Sequence, residues 1–178
     1  MKELILGGAR SGKSALAMQR AQQCGKSVVY VATALGHEHD AEMQARIEQH
    51  RAERPTHWRT VECHTHLAEC LTQADARDVC IVVDCLTLWL TNVLWTAEYT
   101  VQMHAWRRER LALLACLPTL QADLILVSNE VGLGIVPDNA AARTFRDEQG
   151  WLNQALAQAC DHVTLVTAGL PLTLKSAT

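Results

Sequence analysis

The sequence predicts a doubly wound α/β fold with a mostly parallel sheet. Short apolar runs rich in Val, Ile and Leu alternate with helical patterns along the chain, which is typical of strands covered by helices on both faces. A glycine-rich turn joins the first apolar run to the first helix. The 178 residues, of which 49% are hydrophobic and 20% charged, predict one compact domain over 1–178.

Five strands are expected from the apolar runs, and two shorter pieces are candidates for further strands. The five are 4–6, 27–32, 79–84, 123–128 and 163–167, and the two are 58–62 and 172–174. Most of the five show little polar alternation, so we expect them to lie parallel in the interior of the sheet.

Helical patterns fill the stretches between the strands. Helices are expected over 15–23, 40–53 and 66–74, and one or two more in the long stretch before Pro118. One face of that stretch carries Trp106, Leu113, Leu114 and Leu117. The last helix is expected to begin at Asp138 as its N-cap. One side of it carries Phe145, Leu152, Leu156 and Ala159.

The turn after the first strand matches the phosphate-binding pattern G-x-x-x-x-G-K-[ST]. It consists of Gly7, Gly8, Ala9, Arg10, Ser11, Gly12, Lys13 and Ser14. Glycines let backbone N–H groups point at a polyphosphate, and the helix that begins there adds the positive end of its dipole. Lys13 is placed to reach the β- and γ-phosphates, and the Ser14 hydroxyl to ligate Mg²⁺.

Asp84 follows four apolar residues at the end of an expected strand, as the Walker B acid does in P-loop proteins. In that interpretation it holds Mg²⁺ beside Ser14, directly or through water. The alternative is that Asp84 caps the helix that follows.

His50 shares a helix face with Met43 and Ile47, so the pattern points its imidazole toward the body of the protein. Three arginines lie near it in sequence: Arg46, Arg51 and Arg54. A neutral imidazole is a good nucleophile at phosphorus, and arginines would neutralise the phosphate under attack. The pattern leaves two interpretations open, a nucleophile or a partly buried histidine on an amphipathic helix. The loop 128–134 is equally open, either to contact a γ-phosphate or to form a structural turn.

Charge and cysteine content exclude several classes of function. A net charge of −3 argues against binding nucleic acid by bulk electrostatics, and no apolar run is long enough to cross a bilayer. The seven scattered cysteines favour reduced thiols in the cytoplasm. Two groups lack the spacing of a zinc site and are expected to be solvated loops: His37, His39 and Asp40, and Cys63, His64 and His66.

Several segments, taken in order, resemble one family: the bifunctional adenosylcobinamide kinase/adenosylcobinamide-phosphate guanylyltransferases of cobalamin biosynthesis. The matching pieces are the phosphate loop; Ala32-Thr33; Asp40, Glu42-Met43, Arg46-Ile47 and His50; Arg54-Pro55, Trp58-Arg59-Thr60 and Glu62; Asp84-Cys85-Leu86-Thr87 and Asn92; Ser128-Asn129-Glu130-Val131-Gly132; Gly134-Ile135-Val136-Pro137; and Phe145-Arg146-Asp147, Gly150 and Asn153-Gln154. Only the phosphate loop is a strong signal alone, but the ordered set spans nearly the whole chain and is specific.

The resemblance implies a RecA-like fold, a homotrimer and a two-step enzyme. ATP or GTP first phosphorylates the aminopropanol hydroxyl of adenosylcobinamide. GTP then gives GMP to that phosphate, which yields adenosylcobinamide-GDP and pyrophosphate. The guanylyl group passes through a histidine, and this role falls on His50, since the preceding position, a second histidine in some members, is Gln49 here.

The resemblance also implies the site residues. Lys13 and His50 are the implied catalytic residues, and Ser14 and Asp84 the implied Mg²⁺ ligands. Beyond the phosphate loop, the implied nucleotide contacts are Thr33, Ala34, Leu35, Arg51, Ala52, Glu53, Arg54, Glu62 and Asp84. Asn92 and the loop 129–137 are candidates for contacts with the corrinoid.

Two other functions stand as alternatives. A simple P-loop kinase of small molecules, with a structural His50, would transfer a γ-phosphoryl group without forming covalent GMP. A nucleotide-switch module would signal through a partner, but the chain has no N-K-x-D motif of the GTPase type.

Overall fold

The computed structural model describes residues 1–35, 41–96 and 100–177. Within them, seven strands form one sheet in the order β3-β2-β4-β5-β1-β6-β7. The strands are β1 (Lys2–Gly7), β2 (Ser27–Ala32), β3 (Arg59–Glu62), β4 (Val79–Asp84), β5 (Asp123–Asn129), β6 (His162–Thr167) and β7 (Leu170–Lys175). Neighbouring strands pair parallel except β6 and β7. The mostly parallel sheet and the five expected strands are confirmed, and the two candidate pieces form β3 and β7.

Six α-helices connect the strands of the described residues. They are α1 (Lys13–Gln23), α2 (Ala41–Ala52), α3 (Leu67–Ala74), α4 (Leu86–Leu94), α5 (Met103–Cys116) and α6 (Ala140–Ala159), and a 3-10 turn, Leu117–Thr119, follows α5. The long stretch after β4 therefore forms two helices. On α5 and the turn after it, Trp106, Leu113 and Leu117 are fully buried, as their spacing predicts. Asp40, expected near the start of α2, lies outside the described residues.

One expectation about α6 is wrong. Its N-cap is Asn139 rather than Asp138, because the Asn139 side chain accepts a hydrogen bond from the Ala142 N–H at 2.7 Å. On the predicted apolar side, Leu152 and Leu156 are buried, and Ala159, in the last turn, is exposed. The buried side of α6 also carries three polar residues that the apolar pattern did not indicate: Glu148, Gln149 and Asn153.

The helices cover the two faces of the sheet unequally. The larger core cluster contains buried side chains of α3, α4, α5 and α6 together with Leu124 and Leu126 of β5. The smaller cluster, beneath α1, contains Ile125 and Val127 of the same strand. Because successive side chains of a strand point to opposite faces, the side chains of β5 alternate between the two clusters.

The prediction that the two cysteine and histidine groups form solvated loops holds for only part of them. All seven cysteines lie in the described residues and are free thiols. Cys63 is buried in the larger core cluster, so the expectation of a solvated loop is wrong for it. His37 and His39 lie outside the described residues. In the part of the chain that is described, no three His, Cys, Asp or Glu residues form a group able to hold a metal ion.

None of the helices in residues 1–35, 41–96 and 100–177 combines the length and apolar character of a membrane span.

Candidate functional site

The phosphate-loop motif forms a tight turn between β1 and α1 at the carboxyl edge of the sheet. Gly12 precedes α1 with a φ of 96°, a left-handed conformation that favours glycine. Gly7 lies so close to β6 that a Cβ there would come 2.7 Å from the carbonyl oxygen of Val166. The geometry of the turn therefore requires glycine at both positions.

The loop presents groups that suit an anion. Lys13 begins α1 and is buried, and its Nζ donates a hydrogen bond to the carbonyl oxygen of Gly8 at 3.0 Å. The N–H groups in the first turn of α1 have no partner within the helix. Ser11 Oγ is buried and has no hydrogen-bond partner among the described residues, which is unfavourable unless a ligand supplies one.

Asp84 ends β4 at the same edge of the sheet. Its Oδ2 accepts a hydrogen bond from the Tyr30 hydroxyl on β2 at 2.8 Å. The N-cap of α4 is Cys85, so the capping interpretation of Asp84 is wrong; the carboxylate turns across the sheet instead. Ser14 and Asp84 are both half-buried. A hydroxyl and a carboxylate are oxygen ligands that Mg²⁺ prefers, so these residues fit the ion.

Tyr30 links Asp84 to the segment that follows α2. The guanidinium of Arg54 lies over the Tyr30 ring, 3.8 Å from its centroid, and the Trp58 ring stacks near it with centroids 6.5 Å apart. Burial, reinforced by the negative charge of Asp84, raises the pKa of Tyr30 far above its usual value, so the hydroxyl stays a donor. Sequence reasoning missed this residue, whose one signal was a phenol in an otherwise aliphatic strand.

The segment after β2 is hydrogen-bonded to the residue that follows β4. Thr33 is fully buried; its Oγ1 donates to the carbonyl oxygen of Cys85 at 2.7 Å and accepts from the Cys85 N–H at 2.8 Å. Asn92 Nδ2 donates to the carbonyl oxygens of Thr33 and His64 at 2.8 and 3.1 Å. Ala34 is half-buried and Leu35 exposed, so these two offer the accessible surface of the segment.

The structure does not place His50 as predicted. The imidazole is exposed, with 46% of the side chain accessible, and its Nδ1 lies 3.8 Å from Glu53 Oε2. Among the described side chains of α2, only Ile47 is half-buried and the rest are exposed, so that part of the helix does not turn an apolar face inward. The side chains of Met43 and Arg46 lie outside the description.

A cavity of about 470 Å³ lies between the end of α2 and β3. Its lining includes Arg51, Arg54, Trp58, Thr60 and Glu62. Arg51 and Glu62 form an ion pair at 2.5 Å. The volume, the aromatic wall and the paired charges suit a small polar ligand such as a nucleoside. Ala52 and Glu53, the other two expected contacts in this stretch, are exposed.

The end of β5 is held by a buried polar cluster on α6. Ser128 Oγ donates to Asn153 Oδ1 at 2.7 Å and accepts from Gln149 Nε2 at 2.9 Å. Sequence analysis missed this cluster, because polar residues in a long amphipathic helix usually face water. The following loop exposes two apolar side chains, Leu133 at 85% and Ile135 at 97%.

The sheet order decides which of these groups meet. Strand β5 lies between β4 and β1, so Asp84, the end of β5 and the phosphate loop share one edge. In open α/β sheets this carboxyl edge is where ligands bind.

Comparison with known proteins supports the resemblance seen in the sequence. The family model for cobinamide kinase / cobinamide phosphate guanyltransferase matches residues 3–174. A bifunctional adenosylcobalamin biosynthesis protein, CobP of Pseudomonas aeruginosa, is 50% identical over 175 residues, with 98% of each chain covered. The bifunctional adenosylcobalamin biosynthesis protein CobU of Salmonella typhimurium is 41% identical over 184 residues. The match covers 98% of this chain and 100% of the Salmonella protein.

A solved structure supports the fold. An ATPase from the type III secretion system of pathogenic bacteria superimposes with a TM-score of 0.52 at 11% identity, over 97% of this chain and 56% of the ATPase. At that identity the likeness concerns the fold alone, which is the doubly wound P-loop fold predicted from the sequence.

Proposed function

Because this chain belongs to the cobinamide kinase / cobinamide phosphate guanyltransferase family, we propose that both reactions use one nucleotide site at the carboxyl edge of its sheet. The enzyme phosphorylates adenosylcobinamide and then transfers GMP to the product. The observation that carries the single-site proposal is the shared edge, at which the phosphate loop and Asp84 lie on either side of the end of β5. The cavity at the end of α2 would extend this site and receive the base and ribose of the nucleotide. The single domain 1–178 would then contain the catalytic residues of both reactions.

In the kinase reaction, Lys13 and the N-terminus of α1 hold the β- and γ-phosphates of ATP or GTP. Ser14 and Asp84 hold Mg²⁺, which when bound offsets the charge of the phosphates. The aminopropanol hydroxyl attacks the γ-phosphorus, and the nucleoside diphosphate leaves.

In the guanylyl reaction, a ring nitrogen of His50 attacks the α-phosphorus of GTP, and pyrophosphate leaves. The phosphate of adenosylcobinamide phosphate then attacks the same phosphorus and breaks the P–N bond, which splits one difficult transfer into two displacements. Arg51 and Arg54 hold oxygens of the α-phosphate, and Glu62 accepts from the ribose. His50 is exposed in this structure, so α2 must move toward the phosphate loop. Its described side chains are nearly all exposed, so little packing opposes that movement.

Assembly and location are part of the proposal. Exposed apolar side chains on the edge strand β7, Leu170, Leu172 and Leu174, are suited to burial between the subunits of a homotrimer. Seven free thiols suit the reducing cytoplasm. No nucleic acid takes part.

The proposal is tested by labelling. Wild-type protein is incubated with Mg²⁺ and GTP that is radiolabelled at the α- or at the γ-phosphorus, without any other protein, in one reaction alone and in a parallel reaction with adenosylcobinamide. Covalent label is expected from α-labelled GTP only, and it should be labile to acid and stable to alkali, as a phosphoramidate is. Transfer of γ-label to adenosylcobinamide with no protein-bound α-label would favour the simple kinase. No turnover at all would favour the nucleotide switch.

Replacement of Tyr30 by phenylalanine should weaken the response to Mg²⁺. The variant keeps the ring that packs with Arg54 and Trp58 but removes the hydroxyl that donates to Asp84 Oδ2. We expect the Mg²⁺ concentration for half-maximal activity to rise about tenfold. The affinity for nucleotide without Mg²⁺ should change little, and fluorescent GTP binding measures it. The control Trp58→Phe alters the stack but keeps the hydroxyl, and an equal Mg²⁺ effect there would contradict the role of Tyr30.

A further inference from the structure

Asn129, the last residue of β5, lies on the face of the sheet that carries α1. Ile125 and Val127 belong to the core cluster beneath α1, and side chains of a strand alternate between faces, so Asn129 continues their row. Its neighbour strands end in Asp84 on one side and in Gly7 on the other. Asn129 therefore lies on the strand between the proposed Mg²⁺ ligand and the phosphate loop.

The backbone around Asn129 is fixed on three sides. Its N–H donates to Thr87 Oγ1 at 2.9 Å, and its carbonyl oxygen accepts from Asn153 Nδ2 at 3.1 Å. The next N–H, that of Glu130, donates to the carbonyl oxygen of Gly7 at 3.1 Å. These bonds hold the end of β5 against the first residue of the phosphate loop.

The side chain of Asn129, in contrast, has a buried atom that lacks a hydrogen bond. Asn129 Oδ1 is buried and has no hydrogen-bond partner among the described residues. A buried carbonyl oxygen without a donor is costly, so such an atom calls for a functional explanation. Phosphate oxygens are acceptors at neutral pH and cannot satisfy it, whereas a hydroxyl can.

The strand register places Asn129 farther along the sheet than Asp84. Asp84 pairs with Val127, whereas Asn129 pairs with Gly7. Asn129 thus lies two residues, roughly 6–7 Å, farther toward the carboxyl edge than Asp84. Ligands of open α/β sheets bind beyond the carboxyl ends of the strands, so Asn129 lies on the side from which a substrate would enter.

We propose that Asn129 Oδ1 accepts a hydrogen bond from the substrate hydroxyl that attacks the γ-phosphorus. This rests on the proposed function and deepens its kinase step. The hydroxyl oxygen bonds to the γ-phosphorus, the bond from that phosphorus to the β–γ bridging oxygen breaks with its electron pair, and the hydroxyl proton passes to water. The amide orients the hydroxyl for attack and takes no proton itself.

The assignment separates the two reactions. The acceptor in guanylyl transfer is His50 and then a phosphate group, and a phosphate dianion has no proton to give to Asn129 Oδ1. A substitution here should therefore impair phosphoryl transfer and spare guanylylation, although both depend on the same phosphate loop.

The experiment compares Asn129→Ala and Asn129→Leu with wild type. Transfer of γ-label to adenosylcobinamide should fall about 100-fold in both variants. Covalent α-label and affinity for fluorescent GTP should stay within about threefold of wild type. The leucine variant keeps the shape of the side chain without a buried unpaired oxygen, so its melting temperature should not fall. It serves as the folded variant if the alanine protein is unstable.

Ser128→Ala is the matched control. It removes hydrogen bonds to Gln149 and Asn153 on the opposite face, so it should lower the melting temperature and leave the ratio of the two reaction rates unchanged. Phosphoryl transfer within about threefold of wild type in Asn129→Leu would overturn the inference, as would equal loss of both reactions. If wild type takes up no α-label, the guanylyl proposal fails. The role of Asn129 is then decided by whether the variants lose γ-transfer while they keep the affinity of wild type for GTP.

Discussion

Replacement of His50 by alanine is expected to abolish covalent GMP labelling and guanylyl transfer, with a loss of about 10³-fold or more. The imidazole supplies the only bond through which the protein would carry the nucleotide, so no residual label should remain. Phosphoryl transfer to adenosylcobinamide should stay within about threefold of wild type, because His50 takes no part in that step. Labelling with α-labelled GTP and a separate γ-transfer assay measure the two effects.

Folding should not limit the His50→Ala protein. The side chain is exposed and its Nδ1 lies 3.8 Å from Glu53 Oε2, too far for a hydrogen bond, so the melting temperature should be unchanged. Gln49→Ala is the matched control: Gln49 is also exposed on α2 and hydrogen-bonds to Glu53 at 2.9 Å, and its loss should leave the label intact. A His50→Ala protein that still labels normally would refute the assignment of the nucleophile.

Lys13→Ala is expected to abolish both reactions. The ammonium group offsets charge on the phosphates in each transition state, and removal of one such group typically costs about 10²–10³ in rate. Affinity for GTP should fall as well, since the ground state also gains from the contact. Initial rates of γ-transfer and of α-labelling measure the two reactions, and fluorescent GTP binding measures the affinity.

The control for Lys13→Ala is Lys26→Ala. It removes the same charge just before β2, beyond the C-terminal end of α1, where Lys26 pairs with Asp123 at 2.7 Å, and both rates should be retained. If either reaction survives in Lys13→Ala, a second nucleotide site must serve it. That result would refute the single shared site and leave the family assignment unaffected.

Some of the fold followed from local patterns. The strands were found because buried parallel strands carry continuous aliphatic runs, and the phosphate loop because its eight consecutive residues match a motif whose glycines allow a positive φ such as that of Gly12. Asp84 was found as the acid that ends such a run. Each of these signals depends on residues close together in the chain.

The orientation of His50 could not be predicted in the same way. Three positions at helical spacing indicated an inward face, but a helix buries a face only if enough apolar surface supports it, and the described part of α2 offers Ile47 alone. The cap of α6 likewise depended on which of two adjacent residues, Asp138 or Asn139, reaches a backbone N–H.

The primary sequence thus determined the strands, the phosphate loop and the acid that faces it, because short-range sterics and hydrophobic patterning specify them. The order of strands in the sheet decided the rest. Tyr30 meets Asp84, and Asn129 lies between Asp84 and Gly7, because β2 and β5 are placed beside β4 by long-range pairing that no local pattern encodes. The packing of the whole sheet against its helices selects that order, and with it the groups that share one edge.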